Sequence, residues 1–318
     1  MLAILRSMLL VGAAALCANA AAQYPNKVIR MVIPFPGGSS SDNFGRVITP
    51  PLAKELGQPV IIENRPGADG AIGAEVVIKS PPDGYTLFLS TPTAVLSAPL
   101  LRKNPPYEPS RDLSSIMLLA KFPVFLVVSP GLPVKTATDF VAYAKANPGK
   151  INYAGANISG IVLAEAMNKG TGIKMVQIPF KSEVQTFPEL MTGRVHANFS
   201  SGAALPLVRE GKLKALAVML DQRSSLAPEV PTAAEAGIPP ATITSFVGLF
   251  GPANLPKPIV DRLAKELNAI LKRPEVREQS DRTGFHAEGS TPEQFAAFLT
   301  AQRKIWAQSI KEAGIQPD

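Results

Sequence analysis

Cysteine and histidine are almost absent from this chain of 318 residues, which has one cysteine, Cys17, and two histidines, His196 and His286. Cys17 falls in residues 1–22, which carry Arg6, an apolar run over 8–16, and the small-residue sites Ala18-Asn19-Ala20 and Ala20-Ala21-Ala22. That is the pattern of a cleavable secretory leader, too short to cross a membrane and followed at once by a strand-like segment. Leu16 before Cys17 is too large for lipoprotein processing, so cleavage is expected after Ala20 or Ala22, with no lipid anchor. Cleavage removes the only thiol, which excludes disulfides, thiolate metal sites and thiol redox chemistry from the mature chain.

Two histidines about ninety residues apart, with no H-E-x-x-H and no C-x-x-C, do not make a zinc site. They also leave a serine or cysteine nucleophile without an evident base, and no G-x-S-x-G elbow is present. Each histidine is expected to be structural or solvated. A Walker loop and G-x-G-x-x-G are missing as well. Gly67, Gly70 and Gly73 have the spacing G-x-x-G-x-x-G behind Arg65-Pro66, which reads as a glycine-rich turn into a helix over 74–79. No catalytic residue, metal or cofactor is therefore expected. Beyond the leader no run is long and apolar enough for a membrane helix, so a soluble protein of the bacterial periplasm is expected. Lysine and arginine are scattered singly, without interleaved aromatics, so nucleic acid is not expected as a partner. The net charge of +7, or +6 once Arg6 leaves with the leader, modestly favours anionic ligands.

Internal repeats and low-complexity linkers are lacking too, and the proline-rich stretches 104–107 and 228–231 are short enough to be ordinary connections. Nearly 300 mature residues suffice for two domains. Without a linker, two domains must be joined by crossing strands, as in a hinged clamshell with its ligand at the interface.

What the chain does have is alternation. β-rich segments at 28–33, 60–63, 85–89, 124–128, 151–153, 174–178, 197–199 and 215–218 alternate with helical patterns, which predicts α/β architecture. Thr136 with Asp139 opens one helix that Asn147-Pro148-Gly149 ends, Thr186 with Glu189 opens another, and Thr291 with Gln294 opens a third. The last has an apolar face of Phe295, Phe298, Leu299, Ile305 and Trp306, and Val260, Leu263, Leu267, Ile270 and Leu271 form another before Pro274. Trp306 could stack on a ligand, but its helical spacing favours packing.

Loops rich in small polar residues sit after β-segments and before helices: Pro36-Gly37-Gly38-Ser39-Ser40-Ser41-Asp42, Ser90-Thr91-Pro92-Thr93, Gly155-Ala156-Asn157-Ile158-Ser159-Gly160, and Ser200-Ser201-Gly202. A helix start has unpaired N–H groups and partial positive charge, so such loops can hold a carboxylate without lysine or arginine. Asp42 or one of the serines can also simply cap its helix.

At these residues the chain resembles the substrate-binding subunits of tripartite tricarboxylate transporters, also called Bordetella uptake proteins. The resemblance spans nearly the whole mature chain. It is carried by Val32-Ile33-Pro34-Phe35-Pro36-Gly37-Gly38 with Asp42, Glu63-Asn64-Arg65-Pro66-Gly67-Ala68, Pro82-Asp83-Gly84-Tyr85-Thr86-Leu87, Ala146-Asn147-Pro148-Gly149-Lys150, Gly211-Lys212-Leu213-Lys214-Ala215, Val230-Pro231-Thr232 with Glu235-Ala236-Gly237, and Thr291-Pro292-Glu293-Gln294-Phe295. It implies a type II periplasmic-binding-protein fold, two α/β domains closing on a ligand carboxylate with crossover strands as hinge. The domains are expected at 23–124 with 223–318, and at 125–222. It implies integral membrane transporter subunits as partners, and the receptor itself is expected to be a monomer.

Binding positions carried over from the family are Phe35, Ser39, Ser40 and Ser41, then Thr91 and Thr93, then Asn157 and Ser159, and Lys181 of a Pro-Tyr-Lys-Gly-like turn. Asp42, Gly160, Ser200 and Ser201 complete the candidate set. Three departures stand out. The first loop, usually Pro-Pro-Gly-Gly-Gly-Thr-Asp, has three serines here, and the third is about two residues shorter, with Gly160-Ile161 in place of Ser-His. The family's acid-asparagine pair after 197–199 is replaced by Ser200-Ser201. Loss of that acid predicts a ligand with one well-held carboxylate and an uncharged body, such as an aromatic one, in preference to an amino acid.

Overall fold

The computed structural model describes residues 24–240 and 243–317. The expected leader, Cys17 included, lies outside them. In chain order the strands are β1 (Ile29–Ile33), β2 (Val60–Asn64), β3 (Thr86–Ser90), β4 (Leu113–Lys121), β5 (Phe125–Val128), β6 (Ile151–Gly155), β7 (Met175–Pro179), β8 (Ala197–Ser200), β9 (Lys214–Val218), β10 (Phe246–Pro252) and β11 (His286–Ala287). The longer helices are α1 (Ser40–Leu56), α2 (Ala71–Ile78), α3 (Ala137–Ala146), α4 (Ile158–Thr171), α5 (Thr186–Thr192), α6 (Lys257–Leu271), α7 (Pro274–Arg282) and α8 (Pro292–Glu312).

Two sheets result, ordered β11-β4-β10-β3-β1-β2 and β7-β6-β8-β5-β9. The edge strand β11 apart, they are built alike. In each, three parallel strands stand in the order second, first, third (β2-β1-β3 and β7-β6-β8), then an antiparallel strand enters from the other sheet (β10 and β5), and the last place is taken by the strand that leaves (β4 and β9). Helices cover both faces, so central strands are buried throughout, as in β3 and β10.

The chain crosses between sheets twice, over 122–124 and 219–245. The crossings are bonded to each other: Phe122 N donates to Ser245 O at 3.1 Å and Met219 N to Val124 O at 2.7 Å. They carry the antiparallel pairing of β4 with β10 into that of β5 with β9.

Helix ends follow the local chemistry. Thr136 and Asp139 form a reciprocal capping box on α3, as do Thr291 and Gln294 on α8. Thr186 differs from expectation, because Gln185 stands at the cap of α5 and the Thr186 hydroxyl donates to Glu183 O at 2.6 Å. α8 packs on β4, on α4 and on the turn Thr93–Ser97, so it touches elements of both sheets. Its Trp306 is wholly buried in the core, settling that residue as packing. Glu108 ties α8 down by a paired bond with the Arg303 guanidinium. β4, β10 and β11 were not among the predicted strands. β10 contains two glycines and a proline, residues that weaken strand character, yet it is the entering strand of its sheet.

Two outcomes follow from this packing. Gly248, at a β-bulge of β10, has Phe295 and Phe250 where a Cβ would stand, the latter at 3.0 Å. Gly248→Ala is expected to destabilise the protein by about 1–3 kcal/mol, as core overpacking does, read from denaturant midpoints. The Arg303 bond, together with that of Ser110 and against partial burial, holds the Glu108 carboxyl at about 2. Because this folded-state value is depressed below the ordinary 4.5, the contribution is present above pH 4.5 and is lost as pH falls toward about 2. Arg303→Gln should flatten that part of the stability profile.

Candidate functional site

The candidate residues fall on the carboxyl-end loops of the parallel strands in both sheets. Phe35 and Ser39 to Asp42 follow β1, Thr91 and Thr93 follow β3, Asn157 to Gly160 follow β6, Lys181 follows β7, and Ser200 and Ser201 close β8. Ligands of open α/β sheets bind at this end.

In the first sheet the three loops pack on one another around Gly70. A Cβ there would meet Ala94 Cβ at 2.7 Å and Pro34 Cβ at 3.1 Å, and φ is +89°, which glycine adopts without strain. The glycine-rich turn thus acts as a spacer between loops. In the second sheet, Gly160 lies against Phe199, where a Cβ would meet the carbonyl at 3.1 Å. That contact brings the third loop onto the fourth. Between the sheets, α4 packs on the 93–97 turn, and Gly202 lies back to back with Gly284, its would-be Cβ 3.0 Å from the Gly284 Cα.

α1 and α4 start alike. Ser39 caps α1, its hydroxyl accepting from Asp42 N at 3.3 Å, and Asn157 caps α4, accepting from Gly160 N at 2.8 Å. Asn43 N and Ile161 N take up the first carbonyls of the helices. The amides of Ser40 and Ser41, and of Ile158 and Ser159, have no partner among the described residues. Neither do the hydroxyls of Ser40, Ser41 and Ser159, and of these Ser41 is 6% exposed. Two helix starts with open amides and hydroxyls can accept an anion. Thr91 is buried and Thr93 half-buried, and their side chains likewise have no described partner.

Four candidates have surroundings that their place in the sequence did not indicate. Asp42 is 1% exposed and both its oxygens are occupied: Gly38 N donates at 2.9 Å, Arg46 Nε at 2.8 Å and Asn64 Nδ2 at 3.0 Å. Burial pushes its carboxyl up, but these bonds together outweigh burial and hold it below the usual range. Asp42 therefore braces the first loop. Lys181 is exposed and bonds nothing described. Ser200 is fully buried, with its hydroxyl donating to Glu183, and Ser201 donates to the same carboxylate from its amide at 2.7 Å. The expected loss of negative charge at this loop does not hold, because Glu183 supplies an acid from the β7–α5 turn.

Sequence reasoning also missed Asn64. Its amide donates to Asp42 Oδ1 and to Phe35 O, each at 3.0 Å, locking the first loop to the end of β2. Its place in the Glu63-Asn64-Arg65-Pro66 motif was the available signal. His196 accepts from Asn152 N through Nδ1 at 3.0 Å, a structural bond, and His286 lies exposed on the edge strand β11. Among the described residues no three His, Cys, Asp or Glu side chains cluster as metal ligands, and no helix is long and apolar enough to cross a membrane. A groove of about 690 Å³, lined by residues such as Tyr24, Tyr85 and Arg262, lies by the amino ends of β1 and β3 and shares no residue with the candidate loops.

Asn64→Ala frees the Phe35 carbonyl and one side of Asp42. It should cost about 1–3 kcal/mol, the usual penalty for stranding buried polar groups. Hydrogen exchange at residues 38–41 should quicken, and an unchanged rate there would refute the bracing role.

Residues 44–315 match the family model described as "Tripartite tricarboxylate transporter family receptor". The protein BugT of Bordetella pertussis is 34% identical over 296 residues, 92% of this chain and 90% of that one. Rpa4515 of R. palustris, solved with adipate, superposes with a TM-score of 0.86 at 29% identity, over 93% of this chain and all of that one. MatC from Rhodopseudomonas palustris, solved with bound malate, gives 0.80 at 29% identity, over 90% of this chain and all of that one. The periplasmic binding protein BugD also shares the fold, with a TM-score of 0.81 at 30% identity, over 92% of this chain and 99% of that one. The two-domain α/β arrangement is thus the periplasmic-binding-protein fold anticipated from the sequence.

Proposed function

The chain belongs to the tripartite tricarboxylate transporter receptor family, and from that premise we propose that it captures a small organic carboxylate in the periplasm and delivers it to membrane transporter subunits. The observation that carries this reading is the matched pair of helix starts at α1 and α4, which leave amides and serine hydroxyls open at the carboxyl ends of equivalent strands. Such a start attracts an anion through oriented N–H groups and the helix dipole. The relatives solved with adipate and malate fit the same ligand chemistry.

The mechanism is closure without a covalent step. The domains, 23–124 with 223–318 and 125–222, turn about the crossings at 122–124 and 219–245, and the first loop contributes Ser39 to Ser41 while the third contributes Asn157 and Ser159. Thr91 and Thr93 come from the loop after β3, whose 93–97 turn packs on α4. The receptor acts as a monomer after its leader, residues 1–22, has been removed on export.

A thermal-shift screen of mono-, di- and tricarboxylates, aromatic acids and amino acids tests the proposal. A ligand at 100 times its Kd adds about 2.7 kcal/mol, worth several degrees for a chain of this size. Ser41→Ala and Ser159→Ala should each shrink that shift. No shift with any carboxylate would defeat the receptor reading, and an unchanged shift in a variant would remove that serine from the site.

A further inference from the structure

Glu183 opens the turn between β7 and α5, at the carboxyl end of a parallel strand beside the third and fourth loops. Oε1 accepts from the Ser200 hydroxyl, from Ser201 N at 2.7 Å and from Ser201 Oγ at 3.1 Å. Oε2 meets Ser201 Oγ alone, at 2.9 Å, so it has acceptor capacity to spare. The residue keeps part of its surface exposed, whereas Ser200 behind it is completely buried.

What the carboxyl lacks is a cation. None of the ion pairs among the described residues includes it, and only serines and burial act on its ionisation. Lys181, two residues away, is exposed and bonds nothing described. Burial pushes the Glu183 carboxyl up, against the three serine bonds that favour its ionised form. Asp42, the other acid on the candidate loops, has Arg46 as its counter-charge. Burial without a cationic partner favours the neutral form of such a carboxyl, and a ligand ammonium set against it would favour the ionised form and form an ion pair on binding.

We propose that Glu183 receives a positively charged amine of the ligand, so that this receptor prefers amino-bearing carboxylates to amine-free carboxylates of the same length. The inference rests on the receptor reading above and reverses the preference expected when Ser200-Ser201 was taken to have emptied the site of acid. The carboxylate is held by the helix starts of α1 and α4, and the ammonium by Glu183 Oε2. Ser200 and Ser201 fix the acid in place and make no selection themselves.

Isothermal titration of the mature protein with matched pairs tests this: propionate with alanine, succinate with aspartate, glutarate with glutamate, and adipate with 2-aminoadipate. In the pair that binds best, the amino acid is expected to bind at least tenfold tighter than its partner. Glu183→Gln keeps the shape, since its amide can accept from Ser200 and Ser201 N and donate to Ser201 Oγ. It should weaken the amino acid at least tenfold and the amine-free acid less than threefold. If an amine-free acid binds as well as its partner in the wild-type protein, or the variant weakens both equally, the role of Glu183 falls while the receptor reading survives. Binding of no carboxylate at all defeats both. The wild-type ranking decides the matter even if the variant melts early.

Discussion

Two backbone hydrogen bonds, Phe122 N to Ser245 O and Met219 N to Val124 O, join the only segments by which the described chain passes from one sheet to the other. They let the antiparallel pairing run from sheet to sheet, so each sheet receives a strand from its neighbour and sends one back. Both sheets consequently have the same order of three parallel strands, and β1 and β6 become equivalent. Whatever follows β1, the serine loop and α1, then has its counterpart after β6 in Asn157 and α4. On the proposed closure, bending falls in the crossings, because the strands on either side are tied into sheets.

The grip so positioned is built from neutral groups, and the two acids near it are treated oppositely. Asp42 is surrounded by donors that include a guanidinium, and they hold it ionised and fix the first loop. Glu183 is surrounded by serine hydroxyls and one amide, none of them cationic, and burial pushes its carboxyl up. The same side-chain chemistry therefore serves as a brace in one loop and stands without a counter-charge in the other. Only the neighbours differ.

Local features were legible in the sequence because their partners lie within three or four residues. The caps of α3 and α8, the glycine-rich turn and the β1 loop all belong to this class. Glu183 and Asn64 did not, since each acts on a partner distant in sequence: Ser200 and Ser201 at the end of β8 for the one, Phe35 and Asp42 after β1 for the other. Spacing along the chain carries no record of those pairings. β10 escaped for a related reason, as Gly248 and Gly251 are there to admit Phe295 and Leu255 and not to weaken a strand. Ser200-Ser201 shows the hazard of reading one loop alone, because the acid missing from it is held against it by a neighbour.

A helix-start grip also suits reversible capture. A lysine or arginine buried with a ligand carboxylate would leave an unpaired charge behind each time the ligand departed, a state that costs several kcal/mol. Open amides at α1 and α4 lose only hydrogen bonds that water replaces when the cleft opens. A buried acid without a cationic partner, such as Glu183, acts in the other direction, because a cationic group placed against it would shift it toward its ionised form and gain an ion pair. On the proposed reading, neutral donors hold the carboxylate and a single acid without a counter-charge selects among the molecules that bear one.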